Sequence, residues 1–348
     1  MKRIFLTGAN GHTGANVVRE LLARDYQVVG LVRENSDLRS IAGLDIEIRK
    51  GDLLDYESLV KAMQGCDAVI HTAANNANWL PGGKDPDGTN TSGTENMFKA
   101  AKQHAIPRFI YTSSIGAVGG SPDQATQRNE SDWNENPHMP VWKSKVKSEK
   151  LAHRLAQTLG LDLVVLIPSA IFGPLDFRQN PPTKTFLTIL NGRGFVWDGI
   201  FPYVHVEDVA RAHVDALTAG EPGERYLIHG VSMHLYQVAE MVEKMFGIRM
   251  PKMNPPKFVM RNVGRLLDTI GNFTKKTPLF DHRIYDDLMA LNGNFDNSKS
   301  KQAFGIEYRS LEQIFADTVA WVIHAGMVSD RLASRYRGQY PAKPGWPT

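Results

Sequence analysis

A single cysteine, Cys66, stands among the 348 residues of this chain, which leaves no disulfide framework and no Cys-based metal site. Net charge is nearly absent as well. Lys+Arg number 40 against 37 Asp+Glu, a formal +3, too little for an electrostatic footprint on nucleic acid or an acidic membrane. No apolar run approaches the roughly 18 residues of a spanning helix. The start, MKRIFLTGANG, carries no secretory h-region or cleavage site. Tandem repeats are missing, and the 11 histidines show no HxxxH or carboxylate-paired spacing, so no metal is expected. These absences point to a soluble, cytoplasmic protein with no nucleic-acid partner and no membrane span. Its 42% hydrophobic content supplies a sizeable core.

What is present is alternation. Short β-branched or aromatic runs recur at Arg3–Thr7, Gln27–Val32, Ile46–Lys50, Ala68–His71, Phe109–Thr112 and Leu163–Ile167. Between them lie helix-period segments at Thr13–Arg24, Tyr56–Met63, Thr94–His104 and Val146–Leu159. The alternation predicts parallel βαβ units: an α/β, Rossmann-type doubly wound parallel sheet, with strands such as LVVLI covered on both faces. From Pro168 the pattern loosens. We expect residues 1–167 to form the dinucleotide-binding core. Residues 168–348 should be mainly a smaller C-terminal, substrate-binding lobe over the carboxyl ends of the strands, with a stretch at about 200–230 returning to the core. Arg261–Phe273 and Ser310–Ala325 read as amphipathic helices. Met260–Phe273 admits a membrane-surface reading, but a helix packed on its own lobe is the expectation.

Thr7-Gly8-Ala9-Asn10-Gly11-His12-Thr13-Gly14 follows the first strand and opens the first helix. Gly8 permits a tight turn, Gly11 lets backbone approach a pyrophosphate, and Gly14 lets the helix press on the sheet. A phosphate would then lie against unpaired N–H groups at the helix N-terminus. At the end of the second strand, where an acidic residue would bind both ribose hydroxyls of NAD, stands Arg33, with Arg39 six residues on. Guanidinium groups match the 2′-phosphate of NADP, so NADP(H) is the expected cofactor, with NAD(H) as the alternative. Asp52 is placed to accept the adenine amino group, whereas Asp55 suits the N-cap of the helix from Tyr56.

Seven ordered motifs then carry a resemblance: TGANGHTG at 7–14, GDLLD at 51–55, HTAA at 71–74, NTSGTEN at 90–96, YTSSIGAVGG at 111–120, PSAIFGP at 168–174 and HVEDVARAH at 205–213. Over nearly its whole length the chain resembles the extended short-chain dehydrogenase/reductase family, in its dihydroflavonol-reductase and sugar-epimerase-like branch. The resemblance implies bound NAD(P), contacted by Gly8, Asn10, Gly11, His12, Thr13, Gly14, Arg33, Arg39, Asp52, Leu53, Ala73, Ala74, Lys145, Pro168 and Ala170. It also implies a homodimer through the helices at Thr94–His104 and Val146–Leu159. His71, His205 and Asn90 take structural roles in this comparison.

The family's chemistry uses a Ser, a Tyr, and a Lys one helical turn after the Tyr. Ser114 matches the Ser and Lys145 the Lys, but the position four before Lys145 is Val141, and no shift of register supplies a tyrosine. Valine has no proton to give. General acid catalysis contributes typically 10²–10⁴-fold, so a reactive acceptor can dispense with the usual donor. The leading expectation is therefore NADPH-dependent reduction of an apolar carbonyl, quinone or enone, protonated by water, Lys145, Lys143, His138 or the substrate. A redox-neutral dehydratase, isomerase or cyclase, a non-catalytic NADP(H) sensor or scaffold, and an ordinary reductase changed at Val141 stay open beside it. Trp79 and Trp142 offer flat apolar faces to such a substrate, and Arg178 a partner for a substrate carboxylate or phosphate.

Overall fold

The computed structural model describes residues 2–75, 87–274, 283, 285–289 and 292–347. Seven strands form the main sheet: β1 (Arg3–Thr7), β2 (Gln27–Val32), β3 (Glu47–Lys50), β4 (Ala68–His71), β5 (Arg108–Thr112), β6 (Asp162–Pro168) and β9 (Arg225–Ile228). Their order is β3-β2-β1-β4-β5-β6-β9, and each neighbouring pair is parallel. Ile4, Phe5 and Leu6, three successive residues of β1, are fully buried. A strand covered on both faces has no use for alternation, which is why these runs are continuously apolar.

Helices cover both faces. On one side α2 (Tyr56–Met63), α3 (Asp87–Gln103) and α4 (Pro140–Leu159) close a core around Phe98, Phe109 and Met63. On the other, α1 (His12–Ala23) and α6 (Val206–Asp215) share a larger core with the C-terminal half of the chain. Most of the expected first strands and helices recur within a few residues. The exceptions are α3, which starts at Asp87 and not near Thr94, and α4, which starts at Pro140 and not near Val146, because Pro140 occupies the first helical turn, where its missing N–H costs nothing.

Beyond β6 a second sheet of three strands, β10-β8-β7, is made by β7 (Ala170–Phe172), β8 (Ile200–His205) and β10 (Val231–His234). The C-terminal half also holds α5 (Pro181–Leu190), α7 (Leu235–Phe246), α8 (Lys257–Thr274), α9 (Ser298–Phe304), α10 (Leu311–His324) and α11 (Asp330–Tyr336), of which α5, α7 and α10 pack on this sheet. The chain thus leaves the main sheet at β6 and returns to it at β9. α10 begins with a capping box between Ser310 and Gln313 and buries Phe315 and Trp321. α8 behaves oppositely. Phe258, Val259, Val263, Leu266, Ile270 and Phe273 all face solvent, so the expectation that this helix packs its apolar side on its own lobe is overturned. No helix among the described residues is long and apolar enough to cross a membrane.

Candidate active site

The strand order reverses beside β1, and the turn after β1 is built for close approach. Gly8 has φ +72°, and a Cβ there would lie 2.7 Å from Thr72 Oγ1 and 3.0 Å from the Ala73 nitrogen. A Cβ on Gly14 would lie 2.0 Å from the Gly8 carbonyl oxygen. Gly14 therefore lets α1 press on the turn itself, and not on the sheet as the spacing suggested. Gly11 is the N-cap of α1 and provides no side-chain cap, and the first turn contains no acidic residue. The N–H groups opening α1 have no anionic side chain to answer them, which fits a pyrophosphate.

The HTAA segment locks this turn to β4. Thr7 Oγ1 lies 2.7 Å from His71 Nδ1 and accepts from the Ala73 nitrogen at 3.2 Å, while Thr72 Oγ1 donates to the Thr7 carbonyl. Burial drives the His71 pKa down to about 3, so the ring is a neutral hydrogen-bonding strut. Asn10 donates to the Asp37 carbonyl and accepts, through its own carbonyl, from Ser40 Oγ. His12, expected at the cofactor, turns its ring inward. Its ring is buried, 3.5 Å from Asn180 Nδ2, and burial lowers its pKa, with Asp176 opposing and His205 reinforcing the effect. The side chain is turned into the protein behind the turn, which leaves only its backbone at the phosphate side.

Past the end of β2 a cleft of about 610 Å³ is lined by Arg33, Ser36, Lys50 and Arg178, with Glu34, Asp37, Asp52 and Asp55 in the same walls. Arg178, expected on the substrate side, lies here beside Arg33, carried over by the loop after β7. Arg39 lies elsewhere: it pairs with Asp37 at 2.8 Å, and its guanidinium sits 4.7 Å above the Phe177 ring. It neutralises Asp37 and does not line the cleft. Asp52 accepts from the Leu54 nitrogen, Asp55 caps α2 by accepting from the Ser58 nitrogen, and the Leu53 carbonyl accepts from Asn96.

At the other end of the sheet α4 runs along the end of β5. Lys145 is buried, and its Nζ donates to the Thr112 carbonyl at 3.1 Å. Burial lowers its pKa to about 8, with nearby Glu149 opposing. Two residues past Thr112 is Ser114, half-buried, whose Oγ accepts from the Gly116 nitrogen at the start of a 3-10 turn. A Cβ on Gly116 would lie 2.5 Å from Trp142 Cδ1, so the indole lies flat on that turn. Trp142 is thereby a buried prop for the Ser114 turn, and its expected role as an open substrate face is withdrawn. Ser114 is bracketed by two contacts to α4, Lys145 on Thr112 and Trp142 on Gly116. Half-buried Val141 stands one turn before Lys145 on the same side of the helix.

Several groups that hold this site lie far away in sequence. Glu149 is fully buried and receives the Ser113 hydroxyl and Arg225 Nε. Arg225 in turn stacks 3.8 Å over the Trp133 ring. Asp287, 3% exposed, accepts from the backbone nitrogens of His138 and Met139 and from His138 Nδ1 at 2.9 Å. It thus places a carboxylate at the uncapped N-terminus of α4, where the helix dipole favours one. Nothing near Pro140 in the sequence announces a partner 147 residues away. Asn90 bridges Asn75 and Ser144, and His205 caps α6 while its Nε2 lies 3.2 Å from Asp317. The Pro168–Ala170 turn joins β6 to β7, with the Ser169 nitrogen donating to the Ile228 carbonyl. Trp79 lies outside the described residues.

Residues 4–228 match the NAD dependent epimerase/dehydratase family. The chain is 33% identical over 338 residues to "Sterol demethylase protein B" of Methylococcus capsulatus, covering 93% of this chain and 99% of that protein. It is 30% identical over 341 residues to a "Putative dihydroflavonol 4-reductase" of Synechocystis, covering 93% and 95%. Among solved structures, yeast methylglyoxal/isovaleraldehyde reductase complexed with NADPH superposes with a TM-score of 0.72 at 21% identity, covering 94% of this chain and all of that one. With the glycine turn and the strand order in place, the chain belongs to the NAD-dependent epimerase/dehydratase family, enzymes of the extended short-chain dehydrogenase/reductase type.

Proposed function

We propose that this protein is an NADP(H)-dependent reductase of an apolar carbonyl or conjugated enone, in which Lys145 supplies the proton that a tyrosine at position 141 would otherwise give. The observation that carries the reading is the state of Lys145. It is a buried ammonium with a pKa lowered to about 8, held on the Thr112 carbonyl two residues before Ser114, with no phenol one turn earlier. An acid that titrates near neutrality is matched to protonating an alkoxide or enolate at physiological pH. NADPH, when bound, supplies the hydride. Ser114 Oγ–H donates to the substrate oxygen as negative charge gathers there. Lys145 Nζ then passes its proton to that oxygen and regains one from water. Lys143 is unsuited to this role, because it lies two residues from Lys145, points about 200° away around α4, and is exposed.

Cofactor preference follows from the cleft past β2. Arg33, Lys50 and Arg178 lie together there, and Arg39 takes up the charge of Asp37, which favours the extra phosphate of NADP. The name borne by the Methylococcus relative supports a sterol-like, apolar substrate, as does valine in place of a phenol. The test is reduction of apolar ketones, quinones and enones by NADPH carrying deuterium at the transferable position. Deuterium in the product is expected. Product formed without deuterium would replace this reading with a redox-neutral reaction, and tight NADPH binding without turnover would favour a sensor.

A further inference from the structure

Nine large hydrophobic side chains are exposed among the described residues, and six of them lie on α8. Val259, Val263, Leu266, Ile270 and Phe273 follow a 4-3-4-3 spacing, which places them in one stripe along a helix of 18 residues, about 27 Å long. Phe258 stands at its edge. Phe273 is 91% and Leu266 60% exposed. The opposite side of the helix is turned to the protein, and it is the polar and small side. Gly264 and Gly271 are buried, Arg261 pairs with Asp286 at 2.7 Å, and Asp268 lies 3.7 Å from Arg283. The helix is mounted inside out.

Charge says what the stripe faces. Residues 252–274 hold four basic side chains, Lys252, Lys257, Arg261 and Arg265, against the single acidic Asp268. That accounts for the entire +3 excess of the chain, because the remaining residues balance at 36 of each sign. An anionic bilayer surface satisfies both features, since the apolar stripe enters the acyl boundary and the exposed Arg265 at its flank meets lipid headgroups. We infer that α8 is an in-plane anchor that docks this protein on an anionic lipid surface. The inference does not depend on the reductase reading. α8 is joined to the site all the same: Asp286 holds Arg261, and the adjacent Asp287 caps α4. The anchor therefore lies two contacts from the start of the helix that carries Val141 and Lys145.

The experiment is flotation of the full-length protein with vesicles of phosphatidylcholine alone and of phosphatidylcholine with phosphatidylglycerol. Binding to the anionic vesicles, weakened by salt, is expected. Leu266→Glu with Ile270→Glu should abolish it, and Arg265→Gln should weaken it about fivefold, the value of one basic side chain near such a surface. All three positions are exposed, so thermal midpoint and NADPH affinity should stay unchanged, which separates a failure here from a failure of the proposed reaction. Absence of binding, or equal binding to both vesicle types, overturns the proposal. So does a concentration-dependent dimer that Leu266→Glu dissolves while no vesicle binds, since the stripe would then belong to a second copy.

Discussion

The glycine turn after β1 and the surroundings of Lys145 are built by different means. At the phosphate end the work is done by backbone: a Gly8 at positive φ, a Gly14 without room for a Cβ, and an α1 N-terminus left without a side-chain cap. At the proposed reacting end it is done by single side chains, Ser114 and Lys145, with Trp142, Glu149 and Asp287 packed or bonded around them. A backbone cradle tolerates wide drift in its surroundings so long as the glycines stay. A site made of side chains changes chemistry when one of them changes, and here the position one turn before Lys145 is Val141. The contrast accounts for a fold shared by enzymes of many reactions: binding is kept in the main chain, and chemistry is rewritten in a few side chains.

The largest effect should come from Lys145→Met. Loss of the proton donor should lower kcat by 10²–10⁴-fold, and wild-type turnover should fall as pH rises through about 8. The same lysine has a cost in stability. Its folded pKa, about 8, lies below the ordinary 10.5, so the folded chain releases this proton before the unfolded chain does. Below pH 8 the buried ammonium destabilises the fold by about 3 kcal/mol, and that penalty is relieved as pH climbs from 8 to 10.5. Urea unfolding should therefore find Lys145→Met more stable than wild type at pH 7, with the advantage shrinking by pH 10. An advantage that does not move with pH would mean that Lys145 is not held as a strained ammonium.

Gly14→Ala should come next and act on binding. Its Cβ would meet the Gly8 carbonyl oxygen at 2.0 Å, main chain against main chain, so the turn or the helix has to move. Strain of this kind costs typically 1–3 kcal/mol. Cofactor affinity, read by fluorescence titration with NADPH, should fall about tenfold or more, while any turnover at saturating cofactor changes little. A variant that binds NADPH as tightly as wild type would show that the turn is not the cradle.

How much of this is legible in the sequence follows the same division. The inner strands β1, β2, β4, β5 and β6 can be read because a doubly covered sheet demands largely apolar runs, unlike the edge strand β3 with its Glu47, Arg49 and Lys50, and the glycines because their spacing is set by the turn. The partners of α4 cannot be read: Asp287 reaches Met139 across 148 residues, and no local pattern encodes a cap supplied from that distance. Nor can the opposite settings of α8 and α10. Both are amphipathic by sequence, but periodicity gives the direction of an apolar face relative to its own helix and says nothing about which face the body of the protein will meet. The places of Arg178 and Arg39 escape the sequence for a related reason, since loop paths decide which of several arginines reaches a cleft and which meets an aspartate first.

The smallest effect, and the one that sharpens the contrast most, is expected from Arg33→Asp. This is a side-chain feature within the backbone-built end of the cleft. Replacing the guanidinium by a carboxylate removes a partner for a 2′-phosphate and adds repulsion, while offering the ribose hydroxyls of NAD an acceptor. Arg178 and Lys50 remain in the cleft, so NADPH affinity should fall only about tenfold and NADH affinity should rise severalfold, measured as the ratio of kcat/KM for the two cofactors. Arg33→Asp combined with Arg178→Gln should deepen the change, because the two side chains line one cleft. A ratio unmoved by both substitutions would mean that these arginines answer no phosphate, and that cofactor choice at this end, like the grip on the pyrophosphate, is made by the main chain alone.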